Sequence, residues 1–300
     1  MSLLNNLIVG TLPYVPKQIV AKVAGRYIAG AALPDAVKTV RQLNSIHAMA
    51  TVDVLGEDIL TRDQAIASRD ASVSVLNAIA KNKIDSNLSI KLTSLGLKME
   101  KQFCTDNTNA IIETAKAHNN FVRIDMEDRT CTDDTLEIYR TMRSRYERVG
   151  IVIQAYLRRS EKDIRALAAE KANVRLCKGI YNEPPEDAIK DRKGIQDNYL
   201  KLLRILFESG CYTAVATHDD VLINGAKKMI AELNIPKERY EFQMLLGVRH
   251  ETRNTLIAEG HRIRIYVPFG KDWYGYSVRR LKENPQMAGN VFKAIFGIGQ

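Results

Sequence analysis

Little in this chain points to a metal, a disulfide framework or a membrane span. Its four cysteines, Cys104, Cys131, Cys177 and Cys211, lie far apart, with no C-x-x-C and no histidine at ligand spacing. They read as free thiols of a reducing compartment, and no metal site is expected. No G-x-G-x-x-G opens a helix, since Gly297-Ile-Gly299 falls at the end of the chain, and P-loop, H-E-x-x-H and G-x-S-x-G motifs are absent. No apolar run is long enough to cross a bilayer. The first basic residue is Lys17 and Pro13 interrupts the apolar start, so no secretory leader is expected. These absences imply a cytoplasmic protein, peripheral at most on the inner face of the cytoplasmic membrane.

What is present is a large core and a basic excess. At 45% hydrophobic, 300 residues suffice for one large α/β domain or two small ones. The net charge of +9 implies attraction to something anionic. Basic residues are interleaved with acids along the chain instead of forming a stripe, so no nucleic-acid partner is expected.

Residues 1–48 read as a helical N-terminal extension, with Pro34 in the first turn of a helix reaching Met49. From there a strand–helix pattern repeats. Short β-prone runs begin at Ala50, Leu88, Phe121, Ile151, Val174, Tyr212, Tyr240 and Ile263, each followed by a helical stretch. Eight such units in this length predict an α/β fold, a (β/α)8 TIM-type barrel over 49–285, with an open doubly wound sheet as runner-up. The apolar tail 286–300 either packs back on the barrel or meets another surface.

In such a barrel the chemistry gathers at the C-terminal ends of the strands. Polar residues cluster at those positions: Glu57, Lys91 within the second strand, Asp125, Glu127, Gln154, Tyr156, Arg175, Lys178, Tyr181, Thr217, His218, Gln243 and Tyr266. The last helix, opened by Asp272 and stopped by Pro285, puts Tyr276, Arg279, Arg280 and Glu283 on one face. Two guanidinium forks beside a phenol suit a carboxylate or phosphate ligand, and the helix is expected to lie over the C-terminal mouth.

These stretches together resemble the proline dehydrogenase family. The matching motifs are Thr51-Val-Asp-Val-Leu-Gly-Glu57, Ser89-Ile-Lys-Leu92, Ile124-Asp125, Val152-Ile-Gln-Ala-Tyr156, Val174-Arg-Leu-Cys-Lys-Gly179, Ala216-Thr-His218, Glu241-Phe-Gln-Met-Leu245 and Tyr276-x-x-Arg-Arg-x-x-Glu-Asn284. The resemblance implies FAD over the barrel mouth, near Asp125, Gln154, Arg175, Cys177, Lys178, Gly179, Ile180, Tyr181, Thr217, His218, Gln243, Met244, Arg280 and Glu283. It implies L-proline held by Lys91, Leu245, Tyr266, Tyr276, Arg279 and Arg280, with Asp125 orienting Lys91. Apart from the resemblance, Glu57 on the rim and the free fork edge of Arg279 are expected to form an ion-pair latch that closes the pocket. The chain departs from the family's common pattern at Cys177, Ile180 and Asp219, and bulk at Ile180 bears on the ring size accepted.

The reaction implied is oxidation of L-proline to pyrroline-5-carboxylate, with electrons passed to a membrane quinone and the product to a separate pyrroline-5-carboxylate dehydrogenase. Two other readings stay open: a related flavin barrel acting on hydroxyproline or another cyclic amino acid, and a non-catalytic basic barrel that binds anions.

Overall fold

Apolar residues at every second position of eight short segments build the molecule. The computed structural model describes residues 25–56 and 59–274. The chain enters through α1 (Leu33–Asn44) and continues as β1 (Met49–Val54), α2 (Arg62–Asn82), β2 (Ser86–Ile90), α3 (Lys101–Ala117), β3 (Val122–Ile124), α4 (Thr132–Arg145) and β4 (Val149–Gln154). It goes on through α5 (Ser160–Ala169), β5 (Asn173–Cys177), α6 (Arg192–Glu208), β6 (Tyr212–Ala216), α7 (Asp220–Glu232), β7 (Tyr240–Leu245), α8 (His250–Ala258) and β8 (Ile263–Phe269). All eight strands are parallel, each pairs with the next, and β8 pairs with β1, closing a barrel. The doubly wound alternative is excluded.

The strands' two faces differ in chemistry. Val52, Leu88, Ile90, Val122, Ile124, Ile151, Ile153, Val174, Leu176, Val215, Phe242, Ile263, Ile265 and Val267 join the main hydrophobic core. That core also holds buried helix residues such as Val75, Leu76, Ile111, Ile112, Leu202 and Leu206. The alternate positions, including Asp53, Ser89, Arg123, Arg175, Glu241, Gln243, Arg264 and Tyr266, turn the other way, into the bore, by the period of two. Several bond to one another there: Arg175 to Ser89, and Gln243 and Arg264 to Glu241. A barrel of this type is usually filled by branched aliphatics; this bore carries hydrogen-bonded charge instead.

Local sequence explains the element ends. Thr61 caps α2 in a capping box with Gln64, whose side chain reaches back to the Thr61 backbone. In α1, Ala36, Val40 and Leu43 lie at i, i+4 and i+7 and enter the same core as the strands, so this helix belongs to the barrel's packing. It stops at Asn44, short of the expected Met49. The Asn44 amide caps the turn by donating to the carbonyls of Ala48 and Asp85, and Met49 starts β1 instead. Helix α4 ends at Arg145, and the Tyr146 hydroxyl donates to the Asn120 carbonyl. Among the described residues no helix is long and apolar enough to cross a membrane.

Candidate active site

Lys91 lies just past β2, which ends at Ile90, and not within the strand as its sequence suggested. Its ammonium donates to Asp53 Oδ1 at 2.8 Å and to the Tyr266 hydroxyl at 3.1 Å. The expected partner Asp125 is also near, but at 3.8 Å. Asp125 has tighter partners: Ser89 Oγ and Arg175 Nη1, both at 2.7 Å on Oδ1, and the Tyr266 hydroxyl at 2.9 Å on Oδ2. Strands 1, 2, 3, 5 and 8 thus each send a side chain, from the strand or just past its end, to one spot. Among the described residues, two cations and two carboxylates pair there.

Tyr266 ties the array together. Its hydroxyl accepts from Lys91 and donates to Asp125. Its ring lies beneath two cations, with Arg175 Cζ 5.5 Å and Lys91 Nζ 5.8 Å from its centroid. Burial first, then the Asp125 and Asp53 carboxylates, push the phenol well above its ordinary pKa, so it stays a protonated donor.

Around this centre stand the other mouth residues. The buried Gln154 amide donates to the Glu127 carbonyl at 2.8 Å, and the Glu127 carboxylate takes the backbone N–H and hydroxyl of Thr93. His218 Nε2 accepts from the Leu245 N–H at 2.9 Å, which places a neutral ring's proton on Nδ1. Lys178 meets Asp219 at 3.3 Å, and Asp219 also takes Arg192 and Gln196 while capping α7 at Val221. Burial raises the Asp219 pKa, but Gln196 and Lys178 outweigh it and hold the carboxyl below its usual range. Gly179 has φ +107, and a Cβ there would sit 2.1 Å from the Tyr156 ring, so this turn admits no side chain. Tyr156 itself lies past β4, packed with Leu157 and Ala188. Thr217 Oγ1 accepts from the Asp219 N–H. Ile180 is half exposed beside Gly179, and burial pushes the Cys177 thiol up to about 12. Met244 packs into the hydrophobic core, on the opposite face of β7 from Gln243 and Leu245. Glu57, Tyr276, Arg279, Arg280 and Glu283 lie outside the described residues.

Sequence reasoning passed over Asp53, Ser89 and Arg192. The first two carried a signal: polar residues at bore-facing positions, two residues from Thr51 and Lys91 in strands whose other face is aliphatic. Arg192 carried none. Two donors of the array have hydrogen-bonding capacity to offer. Arg175 Nε and Nη2 are buried and make no hydrogen bond among the described residues. Unmet guanidinium donors are costly in a desolvated site and suit a bound group with acceptor atoms. No cluster able to hold a metal ion occurs among the described residues.

A closed parallel barrel with a desolvated acid–base–phenol array at its C-terminal mouth defines a barrel enzyme. The family model for proline dehydrogenase matches residues 36–293. Proline dehydrogenase 1 of Bacillus subtilis (strain 168) is 42% identical over 272 residues, covering 91% of this chain and 90% of that protein. The proline dehydrogenase of Deinococcus radiodurans is 35% identical over 284 residues, covering 93% and 92%. Among solved structures, proline utilization A from Bdellovibrio bacteriovorus, inactivated by N-propargylglycine, superposes with a TM-score of 0.85 at 26% identity. That match covers 93% of this chain but 36% of the longer protein. The chain belongs to the proline dehydrogenase family.

Proposed function

We propose that the chain oxidises L-proline to pyrroline-5-carboxylate using FAD bound over the C-terminal mouth. The observation that carries this reading is the Asp53–Lys91–Tyr266–Asp125–Arg175 array, with two buried Arg175 donors facing no partner among the described residues. Family membership and the curated relatives' names support the substrate.

FAD, when bound, supplies the two-electron acceptor for the ring carbon beside nitrogen. Arg175 would hold it through those donors, with Gln154, Gln243, Thr217, His218 and the Gly179 turn around it. Lys178 and Arg192, both at the mouth, suit its anionic diphosphate. Lys91 would bind the substrate carboxylate with Arg279 and Arg280; truncating one partner of a buried, hydrogen-bonded charge pair costs ~2–5 kcal/mol. Asp53, closer to the ammonium than Asp125, would aim Lys91. Tyr266, Tyr276 and Leu245 would wall the ring methylenes. As the carbon–nitrogen bond becomes double, two electrons and a hydrogen leave carbon and the amine gives up its proton.

A membrane quinone would then take the electrons, the protein acting in the cytoplasm with peripheral contact to an anionic lipid face that its net charge of +9 favours. A separate pyrroline-5-carboxylate dehydrogenase would consume the product. Anaerobic titration of the purified yellow protein tests the reading: proline should bleach the flavin. A colourless protein that takes up no flavin would leave an anion-binding barrel, and bleaching by hydroxyproline alone would reassign the substrate.

A further inference from the structure

The bore stays charged down to its other end. Below the catalytic array, β3 turns Arg123 inward, where its side chain is 1% exposed. Gly150, its register partner on β4, makes the room: a Cβ there would fall 2.4 Å from Arg123 Nη1 and 2.5 Å from Phe121. The guanidinium lies 4.8 Å over the Phe121 ring and donates Nη1 to the carbonyls of Ile151 and Asn173. Nη2 donates to the Asn173 amide oxygen. All these acceptors are neutral. Among the described residues no carboxylate pairs with Arg123, and its Nε, buried, makes no hydrogen bond.

Arg123 lines a cavity of about 240 Å3 that opens at the N-terminal mouth of the barrel. Arg148, Arg262 and Arg264 line it too, against the carboxylates of Asp85 and Glu241. Four guanidiniums against two carboxylates leave an excess of two positive charges. Glu241 is already committed, to Arg264 Nε at 2.9 Å and to the Tyr212 hydroxyl at 2.8 Å. Arg262 and Arg264 each turn an Nη2 to the Met49 thioether, a weak acceptor, at 3.5 and 3.2 Å. Among the described residues Arg148 reaches the Asn119 amide oxygen, at 3.1 Å, and no carboxylate. Burial, reinforced by Arg175 and only partly offset by Glu241, pulls the Arg123 pKa down to about 9, as befits a buried cation without a carboxylate in contact.

We propose that this cavity binds a small dianion of the phosphate or dicarboxylate class, held by Arg123 at its inner end and by Arg262 and Arg148 at the rim. Neutral acceptors alone would suffice if the cluster merely plugged the barrel. They do not explain two extra guanidiniums around an open space, nor a buried donor aimed at no acceptor among the described residues. The site lies at the opposite end of the bore from the catalytic array and does not depend on the activity proposed above.

Thermal unfolding of the full-length protein in inorganic phosphate, in succinate and in chloride at equal ionic strength tests the site. Phosphate or succinate should raise Tm saturably beyond chloride, and whichever acts at lower concentration identifies the class. The double variant Arg148→Gln, Arg262→Gln, which changes only the partly or fully exposed rim, should weaken that dissociation constant at least ~10-fold while proline turnover stays unchanged. Tungstate located crystallographically within hydrogen-bond distance of Arg123 and Arg262 would place the anion directly. No protection beyond chloride, or protection undiminished in the double variant, would overturn the proposal and leave a structural plug.

Discussion

Asp53 Oδ1 lies 2.8 Å from the Lys91 ammonium, a full ångström closer than Asp125 Oδ2 at 3.8 Å. The side chains of Lys91 and Asp53 are 11% and 2% exposed, so this is a desolvated ion pair. Asp125 is drawn instead to Arg175 and Ser89, and Tyr266 spans the gap between the two pairs.

Breaking the Asp53–Lys91 pair from one side should cost more than removing both charges. Asp53→Ala leaves a buried ammonium and should lower unfolding stability by ~3 kcal/mol, whereas Asp53→Ala with Lys91→Met should recover a substantial part. Urea denaturation of the four proteins in the cycle measures this. Strict additivity would mean that the two groups do not stabilise each other.

Tyr266→Phe removes only the hydroxyl that joins Lys91 to Asp125. The ring contacts remain, so the fold should persist while kcat/KM for proline falls about 10-fold, the worth of a hydrogen bond to charged partners. Because the phenol's pKa is raised, its neutral form is favoured by folding. Its contribution is full below the unfolded value near 10 and fades as pH rises through the folded one. Rate profiles of wild type and variant should therefore run parallel from pH 6 to 9. A basic limb present only in wild type would show the phenol ionising during turnover.

The bottom of the bore should be sensitive to acid. Burial raises the Glu241 carboxyl, but Arg264, with the Gln243 and Tyr212 hydrogen bonds, wins and holds it at about 2. A depressed carboxylate stabilises the fold above its unfolded pKa, and that stability is lost as pH falls through the folded one. The difference in unfolding stability between wild type and Glu241→Gln should be constant above about pH 5. It should shrink by ~3 kcal/mol as pH falls toward 2. A difference that does not change with pH would place the Glu241 pKa near its ordinary value.

The double-arginine segment, Arg279 and Arg280, would carry the carboxylate grip proposed above. Arg279→Met should raise KM for proline by 10-fold or more with flavin retained, since a charge-assisted hydrogen bond is worth about 1.5–3 kcal/mol. Glu57→Ala should raise KM less and speed substrate release, as a latch would. Unchanged KM in the first variant refutes the grip, and unchanged release in the second refutes the latch.

The order of elements was legible because period-two apolar strands and period-3.6 helices are local patterns. Ile151-Val-Ile and Ile263-Arg-Ile mark strands wherever they stand. Lys91, Asp125, Arg175 and Tyr266 could be singled out because polar residues at strand ends have few structural reasons to be there. Which of them touch could not be read along the chain. Asp53 and Lys91 are 38 residues apart, and Lys91 and Tyr266 are 175 apart. They meet because barrel closure sets β8 against β1 and stagger decides which bore positions share a level. The choice of Asp53 over Asp125 for Lys91 follows from Arg175, two strands beyond β3, competing for Asp125. Arg123 shows the same division: its type and strand are in the sequence, but its burial above an open, positively charged cavity exists only once eight strands enclose it.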